Sequence, residues 1–182
     1  LQQAIATGTV DFDPGTGVFD LITSGYFDVF LSKHDPAGNL IWAKSVGGTG
    51  DDEATGIAVD RYGNVYVTGS FQFTADFDPG PSSSVLIAAG TTDPFVLKLD
   101  SAGQFLWVSH FSGPGGDGGT AIVVDDSGNV YSTGIFADSM DLDPGPGFFS
   151  LNAAGSTDIF VSKLDSAGQF IMAKGMGGPD SD

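Results

Sequence analysis

TGIAVDRYGNVYVTGSFQFTADFDPG, Thr55–Gly80, returns as TAIVVDDSGNVYSTGIFADSMDLDPG at Thr120–Gly145, an offset of 65 residues with no insertion or deletion. Outward from that pair the same period holds. DFDPG stands at Asp11–Gly15 as well as at Asp76–Gly80, and DLDPG follows at Asp141–Gly145. DVFLSKHDPAGNLIW from Asp28 is answered by DPFVLKLDSAGQFLW from Asp93 and by DIFVSKLDSAGQFIM from Asp158. Separate motifs that share one period define a tandem repeat. Each unit is then one supersecondary element that buries its apolar surface against its neighbours.

Within a unit the pattern predicts four strands and an inserted loop. Strand one is TGIAVD (Thr55–Asp60) or TAIVVD (Thr120–Asp125), and a D-x-x-G-N turn leads into strand two, NVYVTG from Asn64. After the D-x-D-P-G segment and an apolar stretch at Val85–Ala89 comes strand three, FVLKLD (Phe95–Asp100). A D-S-A-G-Q turn then opens strand four, QFLWVS (Gln104–Ser109). Asp at the head of these turns can accept a backbone N–H, and Gly supplies the positive φ that closes a hairpin. Stretches such as IAV and FVL are apolar at successive positions rather than alternate ones, which suits strands covered on both faces.

Composition agrees. The chain of 182 residues is 41% hydrophobic and 12% aromatic, enough to build a core. Of 23 acidic residues all but Glu53 are aspartate, and 28 glycines and 9 prolines accompany them. A helical acidic protein would use glutamate freely, whereas Asp favours caps and turns. No apolar run approaches the ~18–20 residues of a membrane-spanning helix. The formal charge of −17 argues against nucleic acid and against anionic lipid, since both demand a basic patch. Cysteine is absent, which removes disulfides, thiol nucleophiles and zinc–thiolate sites.

The combined run G-G-x-G-x-D…x-I-A-V-D-x-x-G-N-V-Y-V-T-G…D-x-F-V-x-K-L-D-x-x-G-x-x-x-W resembles the seven-bladed β-propeller-type (SBBP) repeat family along essentially the whole chain. The resemblance implies four-stranded blades on bacterial secreted or surface proteins, usually without catalytic activity. The 65-residue unit exceeds common propeller repeats of ~40–50 residues. The expected fold is therefore all-β: tandem propeller-like units of four antiparallel strands with an inserted D-x-D-P-G loop, not a closed propeller by itself. The units divide as a partial unit at 1–48, a unit at 49–113, and a unit plus short tail at 114–182. Closure ordinarily takes ~4–8 blades. Two readings stand: a piece of a longer repeat protein, or a subunit that joins others end to end through unpaired edges. The first strand departs from its equivalents (LQQAIATG against YVTGSFQF), which fits a cap or junction as well as simple divergence. Beginning at Leu1, without an initiator Met or leader, the sequence reads as processed, excised or partial.

The D-[FL]-D-P-G loops are the strongest site motif. Carboxylates two residues apart can converge on a hard cation while the Pro-Gly bend presents carbonyls. With so much negative charge, repeated carboxylate pairs call for a counter-ion. The expected calcium ligands are Asp11, Asp13 and Gly15; Asp76, Asp78 and Gly80; Asp141, Asp143 and Gly145, with Asp28, Asp93 and Asp158 as possible additions. A plain Pro-Gly turn is the competing reading. Asp100-Ser101-Ala102, Asp138-Ser139-Met140 and Asp165-Ser166-Ala167 look like the D-[ST]-[small or apolar] pattern of bacterial O-glycosylation, so Ser101, Ser139 and Ser166 are possible acceptors.

Trp42 and Trp107 share one repeat position with Met172, and Phe30, Phe95 and Phe160 share another, which predicts packing rather than sugar stacking. Lys33, Lys98 and Lys163 recur among aspartates and are expected to form ion pairs that fix strand position. Catalysis finds no support. His34 and His110 occupy non-equivalent positions, H-E-x-x-H, G-x-S-x-G and P-loop patterns are missing, and the aspartates follow the repeat where catalytic residues normally break it. The expectation is a non-enzymatic structural repeat protein, secreted or on the bacterial cell surface, stabilised by calcium. It would self-associate end to end into a fibre or matrix, without nucleic acid or membrane insertion. The alternative is a piece of a larger propeller that acts as a calcium-dependent adhesin binding a glycan or surface protein.

Overall fold

The computed structural model describes residues 2–6 and 8–181, with side chains described from residue 8 onward. Leu1 and Thr7 of the divergent first strand lie outside the described residues. Every regular element among the described residues is a strand. The first unit supplies β1 (Gln2–Ala6), β2 (Thr9–Asp11), β3 (Asp20–Ile22), β4 (Asp28–His34) and β5 (Leu40–Gly48). The second supplies β6 (Glu53–Val59), β7 (Val65–Phe71), β8 (Thr74–Asp76), β9 (Val85–Ile87), β10 (Asp93–Leu99) and β11 (Phe105–His110). The third repeats it as β12 (Gly118–Val124), β13 (Val130–Phe136), β14 (Ser139–Asp141), β15 (Ser150–Asn152), β16 (Asp158–Leu164) and β17 (Phe170–Met176).

The units form blades. β6–β7–β10–β11 and β12–β13–β16–β17 are four-stranded antiparallel sheets, and the first unit contributes β1–β4–β5. The D-x-D-P-G insert is more than a loop. β8 and β9 pair as a short hairpin, as do β2 with β3 and β14 with β15, and D-x-D-P-G is the connection that closes it. The second and third hairpins also reach back to the previous blade: Gly47 pairs with Asp76 and Gly48 with Ala75. One period on, Ser112 and Asp141 exchange backbone hydrogen bonds of 3.1 and 2.8 Å.

The five D-x-x-G-[NQ] turns owe their shape to one carboxylate each. Asp60 Oδ1 accepts the N–H of Tyr62 and of Asn64 at 2.9 Å, and its Oδ2 accepts the Asn64 amide at 2.8 Å. Gly63 supplies φ +82°. Asp125 repeats the set with Ser127 and Asn129. Satisfied on both oxygens by the turn itself, Asp is preferred there over any longer acid.

Alternate residues of a strand serve two different cores. Val65, Val67, Phe95, Leu97 and Leu99 face the first unit, where they pack with Val29, Leu31, Trp42 and Val46. Tyr66 and Val96, their sequence neighbours, face the third unit and pack with Ile122, Val130, Phe136 and Phe160. The run of apolar residues in the middle strands follows from this arrangement. Between the blades, Thr55 Oγ1 donates to Gly119 O at 2.7 Å, and Gly56 lies so near Ala121 and Ile122 that a Cβ on it would come within 3.1–3.2 Å of their backbone.

Candidate functional site

The D-x-D-P-G loops are stapled by their own aspartates. Asp76 Oδ1 accepts the N–H of Asp78 (3.1 Å) and of Ser84 (2.8 Å), and Asp78 Oδ1 accepts the N–H of Gly80 (2.8 Å). Asp11, Asp13 and Gly15 repeat this with Phe19, and Asp141, Asp143 and Gly145 with Phe149. Partial burial pushes the Asp76 carboxyl up, but the N–H groups of Ser84 and Asp78 and the Ser83 hydroxyl outweigh it and hold the group below its ordinary value. The residue between the two aspartates has a role of its own. Phe77 is fully buried, 4.8 Å from the Phe95 ring and 5.4 Å from Phe71, and Leu142 is equally buried one unit on. The motif thus plugs an apolar side chain into the blade junction and leaves a carboxylate on each side. Period-two alternation in D-F-D was the available signal.

A second set of aspartates is far more deeply buried. Asp28, Asp93 and Asp158 begin strand three and are 1%, 0% and 4% exposed; Asp52 and Asp117 precede or flank strand one and are 1% and 2% exposed. Asp28, Asp93, Asp117 and Asp158 each have one oxygen engaged. Asp28 Oδ2 accepts the N–H of Ser24 (2.8 Å), Asp93 Oδ2 that of Ala89 (2.9 Å) and Asp158 Oδ2 that of Ala154 (2.9 Å). Their Oδ1 atoms, and Oδ2 of Asp117, are buried without a hydrogen-bond partner. Asp52 accepts from Gly48 N (2.6 Å) and Gln72 N (3.2 Å).

These residues meet across the junction. A Cβ built on Gly47 would lie 2.8 Å from Asp52 Oδ2 and 3.0 Å from Asp28 Oδ1, so both carboxylates border the space above that glycine. Burial pushes Asp52 up to about 6, with Asp28 and Asp51 adding repulsion; burial likewise lifts Asp117 to about 6, with Asp93 and Asp138 contributing. Asp28 and Asp93 are raised as well, by burial first. A cavity of about 240 Å³ brings Asp28, Ser24, Ser45 and Gly47 of the first unit against Asp76, Asp78, Pro79 and Gly80 of the second. Sequence placed Asp28, Asp93 and Asp158 beside the loops only as additions and missed Asp52 and Asp117. The sole signal for them was the recurring Gly-x-x-x-Asp spacing, Gly48–Asp52 and Gly113–Asp117. Among the described residues no three acidic, histidine or cysteine side chains converge on one point.

The lysines differ from expectation. Among the described residues they form no ion pair. Instead Lys33 Nζ donates to Ser101 O and Lys98 Nζ to Ser166 O, each at 2.9 Å, so a lysine of one blade holds the D-S-A-G turn of the next. Trp42 and Trp107 donate to the same two carbonyls at 3.3 and 3.2 Å. Lys98 also lies 5.0 Å from the Tyr66 ring centroid. A backbone carbonyl demands less desolvation than a carboxylate, and the aspartates are already committed to turns. Of the possible glycosylation residues, Ser101 and Ser166 are exposed at the outer turns, whereas Ser139 is half-buried in β14. A separate polar cavity of about 290 Å³ lies between the D-x-x-G-N turns of the second and third units. Arg61, Tyr62, Lys98 and Asp125 are among its walls.

Blade stacking, turn chemistry and period together are those of propeller repeats. Residues 41–70 match the SBBP beta-propeller repeat. That SBBP match runs from β5 through β7, across the junction that carries Asp52. Similarity to known proteins extends further than the match. An uncharacterized WD repeat-containing protein, L264, of Acanthamoeba polyphaga mimivirus is 30% identical over 174 residues, 88% of this chain and 12% of that protein. Regulatory protein FlaEY of Caulobacter vibrioides is 30% identical over 144 residues, 79% of this chain and 15% of that protein. The chain thus spans 12–15% of the length of these relatives.

Proposed function

We propose that this chain is a non-catalytic, extracellular structural repeat protein, stiffened by calcium, whose blades continue end to end onto further units of the same kind in a fibre or matrix. One observation carries the reading. The outer face of the third blade, lined by Ala121, Val123, Tyr131, Thr133 and Val161, is apolar and uncovered. It stands at the repeat positions of Gly56, Ala58, Tyr66, Thr68 and Val96, the face on which the second blade receives β12 of the third. Tyr66 and Val96 are fully buried there. The occupant that fits the uncovered face is therefore another strand one, from another unit. Acidity and the abundance of hydrogen-bonded turns suit a rigid secreted scaffold.

Sedimentation velocity over micromolar to hundreds of micromolar protein tests the assembly. Concentration-dependent association is expected, together with its loss in Val123→Lys, a residue 61% exposed whose replacement leaves the monomer folded. A monomer at every concentration would overturn end-to-end joining. The cavity at Arg61 and Tyr62 breaks the repeat, since Asp126 and Ser127 stand at those positions in the third unit. It favours a second reading, a propeller segment that binds a glycan or protein partner there. Retention on an immobilised anionic glycan, abolished by Arg61→Ala, would move that reading ahead.

A further inference from the structure

Unsatisfied carboxylates buried at a junction are costly unless a cation or a proton neutralises them. Asp28 Oδ1, Asp93 Oδ1 and Asp117 Oδ2 are such atoms, in side chains at most 2% exposed. Asp28 and Asp52 approach one another over the bare Cα of Gly47, a cradle that any Cβ would fill. No cationic side chain lines the cavity beside them; Asp76 and Asp78 of the following unit form its other wall. Hard oxygen donors, carboxylates on two chain segments and a Pro-Gly bend are chemistry that suits calcium, which tolerates irregular geometry and completes its shell with main-chain oxygens and water.

We infer that calcium binds at the first blade junction rather than within each D-x-D-P-G loop, held by Asp28 and Asp52 under the Asp76–Gly80 loop of the next unit. This rests on the calcium part of the function proposed above and assigns its ligands. Three features separate it from a loop site. The loop carboxylates already accept their own backbone N–H groups, whereas the strand-three aspartates keep an oxygen free. The site needs two consecutive units, so it would bind units to one another as well as order a loop. The first loop, Asp11–Gly15, faces no strand-three aspartate of a preceding unit within this sequence, so no ion is expected there. At the second junction Ser112 stands where Gly47 stands at the first and His110 where Ser45 does, with Nε2 3.8 Å from Asp93 Oδ2. A side chain therefore fills the cradle there, and no ion is assigned to that junction. Asp158 also keeps Oδ1 free, but Asp182, the equivalent of Asp52 and Asp117, lies outside the described residues.

The number of ions distinguishes the alternatives without any variant. Native mass spectrometry and calorimetric titration of the intact chain with calcium at pH 7.5 should give one ion per chain. Asp52→Asn, nearly isosteric, should abolish it, as should Gly47→Ala, whose methyl occupies the cradle. Asp11→Asn/Asp13→Asn should leave one. Three ions per chain, one lost in Asp11→Asn/Asp13→Asn, would overturn the junction site while the calcium reading survived. No uptake at millimolar calcium would overturn both. Should Asp52→Asn fail to fold by circular dichroism, Gly47→Ala makes the same test.

Discussion

At the residue scale the repeat supplies its own controls. Lys98 is 8% exposed and donates to Ser166 O of the following blade, whereas Lys163, its equivalent, lies 4.8 Å from the Tyr131 ring centroid and is given no such carbonyl. Lys98→Ala should therefore destabilise by roughly 2 kcal/mol, the value of a charged hydrogen bond with its packing. Lys163→Ala should cost only about 0.5–1 kcal/mol, the value of the cation–π contact. Urea denaturation of the two variants makes the comparison. The buried aspartates set a pH dependence of opposite sign to the usual acid unfolding. Asp52 and Asp117 titrate near 6 when folded against an ordinary value of 3.8, so their contribution is fully present below that value and disappears as pH rises through 6. Asp35 and Asp125 act the other way. Asn39 and Asn129 lead the groups that hold them low, so their contribution is lost on acidification. In chelator the melting temperature should peak in mild acid, at about pH 4–5, and fall towards neutrality; saturating calcium should lessen that fall. A chelated protein whose melting temperature climbs steadily from pH 4 to 7 would contradict the assignment.

Elements differ according to what covers them, although their sequences barely differ. β10 (DPFVLKL) is buried at every position, whereas β16 (DIFVSKL) alternates buried and half-buried residues, because a blade packs on both faces of the former and on one face of the latter. Tyr66→Ala should cost ~3–4 kcal/mol, as for a large aromatic lost from a core, and Tyr131→Ala about half of that. Amide exchange should be slowest in β7 and β10 and faster in β13 and β16; equal protection would mean that the uncovered face is occupied in solution. Much at this scale was legible. Positions 55–60, 64–69, 95–100 and 104–109 were expected as strands, and each overlaps an observed one within about two residues. The insert was read as a loop because β8 and β9 are three residues each, too short to display an alternating pattern.

For the whole molecule, nearest-neighbour stacking implies that stability is shared between each blade and its two interfaces. The middle blade has both interfaces, so on urea titration it should unfold last, with Trp42 and Trp107 fluorescence reporting the two junctions. A single transition seen identically by both, in Trp42→Phe and Trp107→Phe variants, would mean that the junctions are stronger than the blades.

The sequence alone determined the period, the all-β class and the turn chemistry, because these follow from contacts a few residues apart. Asp60 reaches Asn64 whatever the rest of the chain does. It also identified acidic residues as the groups to watch. Only the tertiary structure decided which of them are buried. Asp28 and Asp52 are 24 positions apart, Asp76 and Asp78 further still, and their proximity is set by one blade docking on the next. Burial and the missing hydrogen-bond partner, which give those carboxylates their chemistry, are properties of that packing. No spacing along the chain encodes them.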